Sequence, residues 1–520
     1  MRHFIAYVKK FVLPKAAFKG IIYSYLKRRL LMLNRSSGIL LPIFSLPSNY
    51  GIGTLGKAAY SFIDFLKEAG QSYWQILPIG PTSYGDSPYQ CLSSFAGNPY
   101  FIDLDILVSD GLLSKSDIEG LVCEISDIDY ENIYNTRFAV LKKAAEKGLS
   151  DGCGEVSRFA ELNREWIYDF ALYTALKEHF GMKAWYEWPA KIRNREKDEL
   201  DRFGELLKAE TEKVIFIQYL FYKQWDSLRD YAHKNGVRII GDMPIYVAYD
   251  SADVWSNSRF FKLNADGSPK CVAGVPPDAF SATGQLWGNP IYDWDELRRD
   301  GYGFWIRRIG AATRVYDVIR IDHFRGIESF WEVPSGAKTA KSGRWVKGPG
   351  IDFVNMITSW FCGTQFIAED LGILTPEVKI MLAESGLPGM KVLEFAFAPE
   401  EGGSAYLPHK YGENCVCYIG THDNDTLLGW MKNAQKREID FAKEYLAAGD
   451  DFADSLLRAG MRSKAALFIA QMQDWLALSS EARINTPGTA AGNWRYRMKS
   501  GAANEKLAKK IAQITKMYGR

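Results

Sequence analysis

Val318-Ile319-Arg320-Ile321-Asp322-His323-Phe324-Arg325-Gly326 is a short apolar run that stops at an acid. Phe366-Ile367-Ala368-Glu369-Asp370-Leu371-Gly372 repeats the pattern further along the chain, and so does Tyr418-Ile419-Gly420-Thr421-His422-Asp423-Asn424-Asp425. Brief apolar runs of this kind fit buried parallel strands, which are covered on both faces. In a (β/α)8 barrel the strand C-termini converge on one face, where active sites form. Two or three carboxylates meeting there is what chemistry at a glycosidic bond requires. One such acid could equally be a surface residue at a strand end; three in succession favour a site.

Working outward, Gly38–Phe44 reads as a strand, followed by a Pro- and Gly-rich loop over 45–53. Apolar residues at Leu55, Ala59, Phe62, Leu66 and Ala69 have helical spacing, and Gly70 suits the helix end. Tyr73–Ile79 is the next strand, and strand–helix–strand predicts a parallel α/β sheet. From about 81 to 236 the rhythm breaks into long helical patterns, such as Val156–Phe180 and Glu205–His233, read as an inserted subdomain. Strands resume at Val237–Ile245, Val315–Ile321, Gln365–Ala368, Lys391–Phe397 and Cys415–Ile419, with an eighth expected near Trp475–Leu478. The expected organisation is a basic extension over 1–34 and a barrel over 35–520. Long loops at about 246–294 and 479–497 suit an active site.

Composition narrows the function classes. A net charge of +2 over 520 residues gives no global sign of a nucleic-acid partner. The first 63 residues hold ten Lys and Arg and no acid, since Asp64 is the first. Pro14 and Lys15 interrupt any signal-peptide core, and no run of about 18 apolar residues exists to span a membrane. The segment reads as a tolerated extension, or as sequence upstream of a start at Met32. The seven cysteines form no metal-ligand spacing and read as reduced thiols of a cytoplasmic protein. The six histidines do not cluster either, and no cofactor or metal is expected.

Retaining glycosyl transfer needs an ionised nucleophile and a protonated acid/base. Strand alternation puts Arg320 on the same face as Asp322, where a guanidinium holds a carboxylate charged. Glu369 follows an apolar run and adjoins Asp370, and both features raise its pKa. Asp423, beside His422, can orient sugar hydroxyls. Asp242 ends its own strand. Aromatics in Gly/Pro loops, Tyr50, Tyr89, Phe280, Trp287 and Trp494, suit the apolar faces of sugars.

At these residues the chain resembles the amylomaltases, the 4-alpha-glucanotransferases of bacteria and the disproportionating enzymes of plants. The resemblance runs from about Arg35 to the C-terminus. Its motifs are SLPSNYGIG at 45–53, SPYQ at 87–90, FAGNP at 95–99, GDMPIYVAYDSADVW at 241–255 and GVPPDAFSATGQLWGNP at 274–290. RIDHFRG at 320–326, IAEDLG at 367–372, GTHDNDT at 420–426, INTPGT at 484–489 and NWRYR at 493–497 complete it. It implies a (β/α)8 TIM barrel of the α-amylase-like type with inserted, mostly helical subdomains, and a retaining mechanism without cofactor. It implies Asp322 as nucleophile, Glu369 as acid/base and Asp423 as transition-state stabiliser. Arg320, His323, His422 and Asp242 would bind or support the donor sugar. Tyr50, Ser48 and Asn493 would also contact substrate, and Asp278, Phe280 and Trp287 would lie near the glucan. The implied partners are α-1,4-glucans and glucose. An α-amylase-like hydrolase and a non-catalytic glucan-binding protein are the rival readings. Residues 1–34 match nothing in that family, and Ala279 follows the PPD where some members carry an aromatic.

Overall fold

The computed structural model describes residues 33–123, 126–152, 154–277, 281–372, 374–398, 404–489 and 491–520. Eight strands form one sheet in which every neighbouring pair is parallel. In chain order they are Ser36–Leu40, Tyr73–Gln75, Arg238–Met243, Val318–Ile321, Gln365–Ala368, Gly389–Val392, Cys415–Tyr418 and Leu467–Gln471. Their side-by-side order is sixth, seventh, eighth, first, second, third, fourth, fifth. The fifth and sixth then meet, closing the sheet into a (β/α)8 barrel. At that seam Ala368 N donates to Pro388 O at 2.9 Å. Asp370 supplies the next acceptor, taking Met390 N at 2.6 Å. A Cβ on Gly389 would fall 2.8 Å from the Asp370 carboxylate, so the close approach needs glycine there.

The central strands lie where the apolar runs put them; others differ for local reasons. The first ends at Leu40, because Pro42 has no N–H for a ladder and Ile43–Ser45 turns. The sixth is Gly389–Val392, and Leu393–Phe395 already turns. The eighth is Leu467–Gln471 rather than Trp475–Leu478. Trp475 closes a short helix beyond the strand, and Ala477 takes φ +53°. The Ala-flanked run 465–470 cannot be told from helix by period alone. The stretch 156–180 is two helices, Gly154–Leu162 and Ile167–His179. Between them Asn163 Nδ2 bonds to Phe159 O, a side-chain bond that competes with the helical ladder.

Helix Lys208–Lys234 leads into the third strand. A four-stranded antiparallel sheet comprises Cys271–Val275, Gln285–Pro290, Ser329–Pro334 and Arg344–Lys347. It flanks the turn that follows the fourth strand. No described helix is long and apolar enough to cross a membrane.

The last helix, Glu505–Met517, buries Ala508, Ile511, Ile514 and Thr515 and carries Arg520 to the start of the first strand. There Arg520 donates to Ser36 O at 2.8 Å, Met461 O at 2.8 Å and Ala465 O at 2.9 Å. Met461 O belongs to the C-terminal turn of helix Phe452–Arg462, whose last carbonyls have no intrahelical donors. Arg520→Ala is expected to cost about 3 kcal/mol, because charged donors leave buried acceptors behind. A thermal melt checks this. Arg520→Lys should recover only part of the loss, since an ammonium lacks the planar fork.

Candidate active site

The third, fourth, fifth and seventh strands end on one face, and each delivers an acid there. Arg320, on the fourth, is the hub. Its Nη1 donates to Asp242 Oδ2 at 2.6 Å and to Asp322 Oδ1 at 2.9 Å. Arg320 and Asp242 are both buried, so this charge has no water to share it. The same Asp242 oxygen accepts the Tyr89 hydroxyl at 2.7 Å. Tyr89 O then lies 2.9 Å from His422 Nε2, which is 3.3 Å from Asp423 Oδ1. Because Tyr89 gives its proton to Asp242, it can only accept from His422, which fixes the imidazole as the Nε2–H tautomer. Burial holds that imidazole below its usual pKa, and hence neutral.

Glu369 is fixed by main chain. His323 N donates to Oε2 at 2.8 Å and Leu371 N to Oε1 at 2.7 Å. Burial pushes both Asp322 and Glu369 up from the ordinary carboxylate range, and Arg320 opposes this in each. The groups lie close enough to titrate as a pair. Of the two, only Asp322 bonds the guanidinium, whereas Glu369 takes main-chain N–H groups alone.

The aromatic residues divide. Tyr89 stacks on His422 with ring centroids 5.2 Å apart, and Trp494 lies 6.1 Å from the same ring. Trp287 meets His323 edge-on at 4.9 Å. Tyr50 sits elsewhere: its hydroxyl donates to Asp105 at 2.6 Å, tying the loop to helix Leu104–Ser109, and its N–H donates to Ser48 Oγ at 3.0 Å, within the loop. Asn493 also works inside its loop, accepting from Thr486 N and donating to Thr489 O. That shapes the turn in which Trp494 takes φ +65°. Asp278 and Phe280 lie outside the described residues.

Two residues that no sequence pattern singled out hold Asp423. Asn485 Nδ2 donates to Asp423 Oδ1 at 2.6 Å, and Arg483 Nη2 donates to Asp423 O at 2.6 Å. They come from the segment 484–489 and its flank, where a matching motif was visible but no spacing marked an amide as a ligand.

His323 adopts φ +50°, and burial pushes its imidazole down to about 3. Unfolded, it takes a proton near pH 6.5. Between those values the unfolded chain binds one proton more than the fold does, so this group removes stability as pH falls below about 6.5. His323→Asn, which tolerates a positive φ, is expected to narrow the difference in melting temperature between pH 7 and pH 5. Paired melts of the two proteins check it.

Comparison with known proteins gives a consistent result. Residues 41–503 match the 4-alpha-glucanotransferase family. A 4-alpha-glucanotransferase of Clostridium butyricum is 47% identical over 92% of this chain and 99% of its own. One from Thermus thermophilus is 46% identical over 90% and 96%. The structure of an amylomaltase from Streptococcus agalactiae in complex with acarbose superposes with a TM-score of 0.91, at 40% identity over 94% of this chain and 99% of that one. An amylomaltase from Corynebacterium glutamicum, 19% identical, shares the fold with a TM-score of 0.75 over 95% of this chain and 76% of that one. With most of its length matched at this identity, and its strand-end acids gathered on one barrel face, the chain belongs to the 4-alpha-glucanotransferase family.

Proposed function

We propose that this member of the family transfers α-1,4-glucan segments to the 4-hydroxyl of glucose or another glucan by double displacement on Asp322. The observation that carries the assignment is that Arg320 touches Asp322 and not Glu369, which divides two buried carboxyls into a nucleophile and an acid. Asp322 attacks the anomeric carbon as the bond to the leaving O4 breaks, and Glu369 gives that oxygen its proton. An acceptor 4-hydroxyl then returns a proton to Glu369 and takes the glycosyl unit, freeing Asp322.

Asp423, held by Asn485, is placed to bind sugar hydroxyls and to offset positive charge developing on the ring. Arg320, Asp242, His422 and His323 support the donor sugar, the first three through the chain of contacts that includes Tyr89. Tyr50, Ser48 and Asn493 act through the loops they shape. The hairpin of strands Cys271–Val275 and Gln285–Pro290, which carries Trp287, covers the acceptor side and excludes water. We read residues 81–236 as a subdomain inserted into the barrel, and the protein as cytoplasmic. The six described cysteines are free thiols, as suits a reducing compartment.

Maltotriose alone, with products resolved by chain length over time, tests the reading. A ladder extending above maltotriose with glucose accumulating is expected. Shorter products only, with reducing ends increasing, would make the protein a hydrolase on the same scaffold.

A further inference from the structure

The hairpin that carries Trp287 breaks its own register. Gly274 pairs with Leu286 and Val272 with Pro290, so three residues, Trp287, Gly288 and Asn289, stand against the single Ala273. Gly288 takes φ +78°, a conformation that glycine adopts without a steric cost. A bulge of this kind re-aims side chains and is common next to active sites. Here Asn289 is buried, at 5% exposure, although Leu286 and Gly288 on the same strand are exposed.

Asn289 joins two other segments. Its Nδ2 donates to Val247 O at 2.8 Å, on the loop after the third strand. That bond decides which end of the amide is the donor, and it leaves Oδ1 for Gln90, whose Nε2 donates to it at 3.2 Å. The same Gln90 nitrogen lies 3.5 Å from Trp287 O. Gln90 directly follows Tyr89, whose hydroxyl meets Asp242 and His422. Trp287 in turn meets His323, the neighbour of Asp322, edge-on at 4.9 Å. The bulge is therefore held from two sides of the site, by the residue after Tyr89 and by the residue after the nucleophile. The chemistry at the carboxylates uses neither Gln90 nor Asn289.

We propose that Gln90 and Asn289 are positioning residues that select the acceptor: their bond holds the Trp287 segment over the glycosyl ester on Asp322, so that a sugar hydroxyl and not water resolves it. The proposal rests on the double displacement assigned above. Either acceptor forms a bond to the anomeric carbon as the ester bond to Asp322 breaks, and either gives its proton to Glu369. Transfer leaves the number of reducing ends unchanged, whereas hydrolysis adds one. The two compete for one intermediate. A glucan acceptor gains from an aromatic face held in place, and water does not, so a bulge that swings outward costs transfer more than hydrolysis.

The test is the partition of that intermediate, read as new reducing ends formed per transfer event on maltotriose. Only folded, active molecules contribute to it, so a loss of stability or of the first step cancels. Asn289→Ala, and Gln90→Met, which keeps the length of Gln but has no donor, are each expected to raise the hydrolytic share about tenfold, the scale of one or two lost hydrogen bonds. The double variant should show no more than the larger single effect, because both changes remove the same bond. Hydrogen exchange of the 285–290 amides, followed by mass spectrometry without substrate, should rise in both single variants. If Asn289→Ala does not fold, Gln90→Met, at a half-buried position, carries the test. An unchanged hydrolytic share in Gln90→Met overturns the proposal. So do shares that multiply in the double variant, which would mean that the two residues act separately, and so does exchange equal to that of wild type. A wild type that gives only shorter products from maltotriose would sink the parent reading instead, and that result is seen before any variant is made.

Discussion

Asp322→Asn is expected to lower maltotriose turnover by ~10⁴-fold or more, the scale on which enzymes lose a nucleophile that acts in concert with its partners. The amide has no carboxylate oxygen with which to form a glycosyl ester, and no neighbour can substitute. Asp242 is occupied by Arg320 and Tyr89, and Asp423 by Asn485. The pocket itself should survive. Arg320 keeps Asp242 at 2.6 Å, and the Asn oxygen can still accept at the 2.9 Å position. Burial disfavours the charged form of Asp322, so removing that charge should leave the melting temperature at or above the wild-type value, as expected where function is maintained against stability. Turnover by product chromatography and a thermal melt make the measurement. Turnover within tenfold of wild type would mean that another group carries the glycosyl unit.

How much of this was legible in the sequence depended on how local each interaction is. Arg320 and Asp322 are two residues apart on one strand, so the period-two rule alone placed them on one face, and they are bonded at 2.9 Å. The fourth, fifth and seventh strands were readable because each is an apolar run bounded by an acid. The eighth was not, since the stretch 465–470 has no alternation and sits next to a second apolar run. Tyr89 was visible only as an aromatic suited to sugars. Its hydroxyl instead joins Asp242 to His422, across 153 and 333 residues of chain. Asn485 reaches Asp423 across 62 residues. Contacts of that separation are made by barrel closure, and no window of sequence contains both partners. The seam itself is similar: Asp370 read as a like charge raising Glu369, which it is, but its carboxylate also stitches the fifth strand to the sixth.

Glu369→Gln separates the two halves of the reaction. With maltotriose the leaving oxygen needs a proton that Gln cannot give, and the expected loss is about 10²–10⁴-fold. α-Maltosyl fluoride releases fluoride without protonation, so its transfer onto Asp322 should continue. The second step still needs a base for the acceptor hydroxyl. The maltosyl-enzyme should therefore accumulate, visible as an added maltosyl mass on the intact chain. Azide, which attacks without giving up a proton, should discharge it. The pH dependence follows the same logic. Burial raises Glu369 above the usual carboxylate range, and the acid form is the active one. Wild-type turnover of maltotriose should thus fall as pH rises through that group, whereas attack on the fluoride by Glu369→Gln should lack this alkaline limb. The variant will be less stable, because the Gln amide presents a donor to one of the two main-chain N–H groups, from His323 or Leu371, that the carboxylate satisfied. That cost is about 1–3 kcal/mol, and mass trapping is insensitive to it so long as the chain folds. Equal losses on maltotriose and on the fluoride, with no adduct, would show that Glu369 is not the proton donor and that its main-chain bonds serve only to hold the turn between the fifth and sixth strands.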